Sequence, residues 1–350
     1  MRARLYLSGW RAGRLEWRLG GPLSGAAPGF ESSMHIASGR WLYGLLLTLL
    51  TAVLWGILPI KLKEVLRVMD PYTVTWYRLA VAGSLLFVWL AAGRRLPRVR
   101  ALGRHAWLLL AAVGGLLGNY VFYLLGLRLL SPGTAQLVIQ VAPILLLLGS
   151  LLFFRERFGM GQALGLLVML AGFGLFFDQR LEELLGSLGA YTTGVLIVLL
   201  AALIWTFYGL AQKQLLTVWS SAQVMMVIYL FCAALLTPFV HPLEVVNLSA
   251  TQGWLLLACC LNTLVAYGAF AEALAHWEAS RVSATLALTP LVTFAAVALL
   301  AWGWPGSMTP ESIDALGYLG ALLVVLGSAL TALAPSLLCS YRARRALRAP

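Results

Sequence analysis

Arg78, Glu272 and three polar pairs, Asn119 with Tyr123, Gln136 with Gln140 and Thr285 with Thr289, interrupt stretches made almost entirely of apolar residues. Each pair is spaced i, i+4, so both members fall on one face of a helix. Such groups orient a substrate by hydrogen bonds, or they tie helices together at about 0.6 to 2 kcal/mol each. Tyr120, Tyr208, Asn262 and Tyr267 add polar groups at similar depth. Arg78 would offer a cation to an anionic substrate or one half of a gating ion pair; alternatively its long stem snorkels to the outer headgroups. Glu272, four residues before His276, would carry a proton in a coupled cycle if burial raised its pKa. The plainer reading is a helix-end carboxylate pairing with Arg281. Hydrolytic and metal chemistry find no support, because His35, His105, His241 and His276 fall in loops or at helix ends and GxSxG, HExxH and CxxC motifs are absent. No enzyme activity, metal or cofactor is expected.

The elements that must hold these residues are set by composition. Of 350 residues, 61% are apolar and 11% charged, too few polar groups to cover a water-soluble fold of this size. From Arg40 onward the charges cut the chain into ten long charge-free runs: 41–60, 79–93, 105–127, 129–154, 158–177, 184–212, 214–243, 245–271, 282–310 and 315–341. A helix of about 20 residues spans the hydrocarbon core. Only 79–93 is shorter, because Arg78 interrupts a stretch that reaches back to Pro71. No period of two appears, which excludes a β-barrel. The expected fold is therefore all-α and integral to the membrane, with ten transmembrane helices.

Basic residues set the orientation. With the N-terminus inside, fourteen Lys and Arg lie on the inner face (Arg40; Arg94, Arg95, Arg98, Arg100, Arg104; Arg155, Arg157; Lys213; Arg281; Arg342, Arg344, Arg345, Arg348) and five on the outer (Lys61, Lys63, Arg67, Arg128, Arg180). Both termini are expected in the cytoplasm. This bias absorbs most of the net charge of +12 without a nucleic-acid partner. Residues 1–33 stand apart as a basic stretch without a signal-peptide apolar core, expected to be disordered or preceding a true start at Met34. Residues 339–350 form a basic cytoplasmic tail.

Self-comparison finds a repeat. A shift of 150 places Trp55 on Trp205 and Lys63 on Lys213, a shift of 147 places Pro143 on Pro290, and a shift of 155 places Gly165 on Gly320 and Gly172 on Gly327. Five spans per half is odd, so the halves, 41–178 and 194–338, cross the membrane in opposite senses. Inverted repeats of this kind are typical of secondary transporters. Each proline removes a helix hydrogen bond and frees a carbonyl four residues earlier, at Ile139 and Leu286. The glycine pairs Gly114 with Gly118 and Gly161 with Gly165 read as close helix packing.

With Trp55-Gly56, Lys61, Lys63, Pro71, Arg78, the Pro143 helix leading to Glu156, and the glycine ladders of spans five and ten in this order, the chain resembles the EamA-type transporters of the drug/metabolite transporter superfamily over about 40–335. It departs in having Gly303 where the first half has Glu156. The resemblance implies a carrier of small metabolites or drugs, often an exporter, in a bacterial-type inner membrane. The expected mechanism is alternating access, with the two halves rocking about a midplane cavity. Trp55, Arg78, Asn119, Tyr123, Gln136, Gln140, Pro143, Trp205, Tyr208, Tyr267, Thr285, Thr289 and Pro290 are the candidates to line it, and Glu272 is the candidate for proton coupling. A lipid or lipid-linked flippase of the same superfamily is the alternative, and a channel is a weaker one. The expected partners are a small-molecule substrate and the bilayer, with a homodimer left open.

Overall fold

The computed structural model describes residues 40–98, 103, 106–142, 144–145, 159–178, 189–216, 218–277, 279–303 and 313–346. Among these residues there are helices and turns and no strands. In chain order the α-helices are α1 (Trp41–Val65), α2 (Pro71–Ala92), α3 (Ala106–Leu129), α4 (Pro132–Val138), α5 (Met160–Phe176), α6 (Ala190–Leu215), α7 (Ser221–Leu236), α8 (Ala250–His276), α9 (Ala279–Leu286), α10 (Thr289–Gly303) and α11 (Ala315–Ala346). Seven segments are long and apolar enough to cross a membrane, α9 and α10 together supplying one of them, while Met160–Phe176 and Ala315–Thr331 are shorter apolar helices. With the run that α4 begins, these make up a ten-span all-helical membrane protein. α11 continues to Ala346, so helix extends into the basic segment after 338. The segment 1–33, Met34, Pro143 and Glu156 lie outside the described residues.

Local chemistry starts the helices. Asp70 and Ser131 cap α2 and α4, each followed by Pro at the first helical position, where its missing N–H costs nothing. Ser220 and Ser249 cap α7 and α8, and Gln223 and Gln252 close their capping boxes. The outward faces, with Leu110, Leu167 and Leu299 among them, are exposed and apolar, as a lipid-facing surface requires. Threonines turned inward return their hydroxyls to their own helix, Thr48 to Gly44, Thr206 to Ala202, Thr263 to Cys259 and Thr331 to Gly327.

Packing runs mainly between the halves. The most extensive helix pairs are α5 with α11, α3 with α6, α1 with α8 and α2 with α7. The repeat operation exchanges span one with span six and span three with span eight, so it carries the α3–α6 pair into the α8–α1 pair and each of the other two pairs into itself. Two asparagines mark this symmetry. Asn119 on α3 donates to the Ala201 carbonyl of α6 at 3.0 Å, and Asn262 on α8 donates to the Leu54 carbonyl of α1 at 2.7 Å.

α5 and α11 cross antiparallel with their backbones nearly touching. A Cβ on Gly172 would fall 2.6 Å from the Val324 nitrogen and 2.7 Å from the Gly320 oxygen; one on Gly320 would fall 2.5 Å from the Phe176 nitrogen. Gly165 and Gly327 face each other in the same way. Of the expected Gly114–Gly118 pair, Gly118 does face α6, where a Cβ would come 3.1 Å from the Ile204 side chain, but a Cβ on Gly114 would meet nothing within 4 Å; Gly115 takes its place, within 2.9 Å of the Tyr208 side chain. A step of one residue turns a helix by about 100°, enough to carry Gly114 away from α6. Gly172→Leu should therefore lower the thermal stability of the detergent-purified protein by about 1–3 kcal/mol or more. Gly174→Leu, whose Cβ meets nothing within 4 Å, should leave the melting temperature nearly unchanged.

Candidate functional site

Spans four and nine break at equivalent places. α4 gives way to a 3₁₀ turn at Ile139–Val141, and α9 ends at Leu286, with α10 restarting at Thr289. A shift of 147 carries 139–141 onto 286–288. The two breaks are joined, because the Gln140 side-chain amide donates to the Ala287 carbonyl at 3.1 Å. Gln140 and Ala287 are themselves repeat-equivalent, so this bond lies at the pseudo-twofold axis. The Leu286 carbonyl, which Pro290 leaves without a helix donor, accepts from the Thr289 hydroxyl at 2.5 Å. A side chain thus satisfies the carbonyl that Pro290 opens, as lipid demands.

α1 crosses this centre at Gly56. A Cβ there would sit 2.7 Å from Val292 Cβ and 3.1 Å from the Thr289 oxygen, and the Gly56 carbonyl accepts from the Thr293 hydroxyl at 2.7 Å. Pro59 opens α1 one turn later, so the three helices that meet here carry backbone irregularities. Tyr123 on α3 donates to Gln136 Oε1 of α4 at 3.0 Å.

Next to this centre lies a cation. Arg78 is only 3% exposed, so it does not snorkel to the headgroups. Its Nε donates to Thr263 Oγ1 on α8 at 3.1 Å, and its guanidinium carbon lies 4.5 Å from the centre of the Tyr120 ring. Tyr267 stands between Trp55, at 5.1 Å between ring centres, and Tyr120 and Tyr229, at 6.2 and 6.5 Å. Neighbouring residues join the two clusters: Trp55 reaches the aromatic wall while Gly56 meets α10, and Tyr120 and Tyr123 are one turn apart on α3.

The structure therefore brings Trp55, Arg78, Tyr123, Gln136, Gln140, Tyr267, Thr289 and Pro290 into one contiguous region. Asn119 is occupied in tying α3 to α6. Trp205 and Tyr208 belong to the apolar cluster that also holds Tyr120, Tyr229 and Tyr267, and the Tyr208 hydroxyl meets Met225 Sδ at 3.3 Å. Thr285 sits in the last turn of α9, its carbonyl accepting from Leu288 N. Glu272 is at the end of α8, with its side chain 56% exposed and bonded to His276 at 3.0 Å; the Arg281 side chain lies outside the described residues. Thr263 and Tyr229 were not singled out from sequence. Thr263 and Tyr267 share the i, i+4 spacing that marked the other pairs, a signal that could have found Thr263; Tyr229 has no such companion.

Two further groups anchor the region. The Lys63 ammonium donates to the carbonyls of Leu127, Arg128 and Leu130 at 2.7 to 2.9 Å, so α1 caps the C-terminal end of α3 with a positive charge where the helix dipole is negative. At the start of α2, Asp70 accepts from Tyr72 N, Thr73 N and Thr73 Oγ1, while its own N–H donates to Glu244. Burial alone would raise the Asp70 pKa, but the hydrogen bonds from Thr73 and Tyr72, with Glu244 adding to them, hold it below the ordinary carboxylate value. His241 N donates to Thr73 Oγ1 and Tyr77 donates to the Pro242 carbonyl, strapping the α7–α8 connection to α2.

An inverted-repeat helical bundle whose buried polar centre sits where broken helices of the two halves meet is a design found among membrane transporters. The model of the EamA-like transporter family matches residues 42–177 and 192–333. The inner membrane transporter YhbE of Escherichia coli K12 is 40% identical over 292 residues, covering 83% of this chain and 91% of the relative. A protein of the same organism named as a probable amino-acid metabolite efflux pump is 26% identical over 298 residues, covering 80% and 92%. One crystal structure superposes with a TM-score of 0.60 at 20% identity, covering 84% of this chain and 98% of its own, a likeness of fold. The chain belongs to the EamA-like transporter family. It is a multi-pass inner membrane transporter and not an enzyme.

The Asp70 cap gives a pH dependence. A carboxyl whose folded pKa is depressed stabilises fully above its unfolded value of about 3.9 and loses that contribution as pH falls through the folded value. Asp70→Ala should cost about 0.5–2 kcal/mol at neutral pH. In melting curves taken from pH 7 to pH 3, wild type should converge on the variant below about pH 4.

Proposed function

We propose that this protein is a secondary active carrier that exports small metabolites or drugs by alternating access, with both termini cytoplasmic as its basic residues direct. The observation that carries the reading is the Gln140–Ala287 bond between two helix breaks related by the repeat. A helix broken at mid-membrane can bend there without tearing regular hydrogen bonds, since carbonyls at the break of span nine accept from side chains that can exchange partners. Two such breaks on the pseudo-twofold axis give each side of the membrane the same hinge. The moving bodies follow the packing: α1 stays with α8 and α3 with α6, so each body takes helices from both halves. Export accords with the efflux activity in the name of the Escherichia coli relative.

Purified protein in proteoliposomes should show saturable flux of a substrate and accelerated exchange when the opposite compartment is preloaded. Linear, non-saturating flux would identify a channel, and movement of labelled lipid without soluble flux a flippase. Gln140→Leu, which removes the bond across the axis, should fold with a similar melting temperature and lower the transport rate about tenfold. An unchanged rate would remove that bond from the mechanism.

A further inference from the structure

We propose that the transported compound carries an oxyanion, a carboxylate in the first instance, which docks on the free side of the Arg78 guanidinium with its apolar body against Trp55 and Tyr267. The proposal rests on the carrier reading above and names the substrate class of that site. A guanidinium has five N–H donors in a fixed fork. In Arg78 the Nε–H is spent on Thr263 Oγ1 and one face lies over Tyr120, while among the described residues no acceptor meets the two terminal NH₂ groups. Ion pairs among those residues join Arg67 to Glu64, His241 to Asp70 and His276 to Glu272, and none reaches Arg78.

A charge this deeply buried is costly to leave without a counter-charge. Thr263 and Tyr120 hold it in place without neutralising it. Lys61, near the end of α1, lies within electrostatic range of Arg78, so the region holds two cations and no described carboxylate among its contacts. It would repel an organic cation. A second observation points the same way: the Tyr120 hydroxyl, on a residue 3% exposed, has no hydrogen-bond partner. It lies among the hydroxyls of Tyr267, Thr263 and Tyr229 without a bond to any of them in the structure. Fork geometry matches the two oxygens of a carboxylate or of a phosphate, and the aromatic rings of Trp55, Tyr267 and Tyr229 supply an apolar wall for what is attached to it.

The test uses the full-length protein in detergent, with thermal stability measured against benzoate, hexanoate, L-leucine and L-phenylalanine. Each acid is set beside its uncharged amide and the amine that lacks the carboxyl, and a soluble glycerophosphate probes the headgroup oxyanion. At least one acid should raise the melting temperature saturably while its amide and amine do not. Arg78→Gln should weaken that binding by about 10- to 100-fold. Arg78→Lys, which keeps the charge and loses the fork, should fall between the two while melting like wild type, which separates lost recognition from lost folding. Stabilisation by glycerophosphate alone would keep the oxyanion and assign it to a lipid headgroup. Stabilisation by amines, by none of the acids, or equally in Arg78→Gln would overturn the proposal. The carrier reading stands or falls separately: amines carried across proteoliposomes without acids would leave a carrier and discard the oxyanion, whereas absence of saturable flux for every compound would count against the carrier itself.

Discussion

Every backbone polar group inside the bilayer must find its partner within the protein, and the fold is organised around the few places where regular helix fails to provide one. Outside those places the solution is uniform, with long helices, threonine hydroxyls folded back on their own turns and asparagines reaching a neighbour's carbonyl. At the breaks of spans four and nine and near Pro59, regular helix gives way. There Thr289 closes on the Leu286 carbonyl that Pro290 frees, Gln140 reaches the Ala287 carbonyl, and Thr293 reaches the Gly56 carbonyl. Two of these three bonds join one half of the chain to the other. The same dependence appears at the glycine crossing of α5 and α11, which closes only because neither backbone carries a side chain at the point of approach.

A centre built this way is polar without being open. It places carbonyls, amides and hydroxyls at depth, most of them engaged by a partner that a modest rotation can release, with the Tyr120 hydroxyl left over. Arg78 stands apart, a full charge held by one hydroxyl and one ring. On the proposed mechanism, a ligand that neutralises this charge would bias the state of the breaks by its differential affinity for the two states. Lys63 and Asp70 work at the rim, fixing the end of α3 and the start of α2.

Much of this was legible in the sequence. Charge spacing gave the spans, and the shifts of 147 and 150 gave the repeat, because membrane helices must be apolar along their whole length and duplicated positions keep their types. The burial of Trp55 and Trp205 is alike, yet their surroundings differ, since Gly56 admits α10 at the first site and Thr206 replaces it at the second. Arg78 could be placed at depth but not oriented, because its partners Thr263 and Tyr120 lie 185 and 42 residues away and nothing local announces them. Gln140 was chosen for its spacing to Gln136, while the carbonyl it meets is a backbone group with no signature in the side-chain pattern. The Gly114 displacement has the same origin: small residues side by side leave the facing one undetermined until the partner helix is known.

The central claim is that the two helix breaks on the pseudo-twofold axis must move against each other for transport. With the four native cysteines replaced, Gln140→Cys and Ala287→Cys can be joined by a short, reducible bifunctional thiol reagent and flux measured in proteoliposomes before linking, after linking and after reduction. The account predicts that linking abolishes flux and that reduction restores it, while substrate binding to the linked protein persists. Undiminished flux through the linked protein would contradict it.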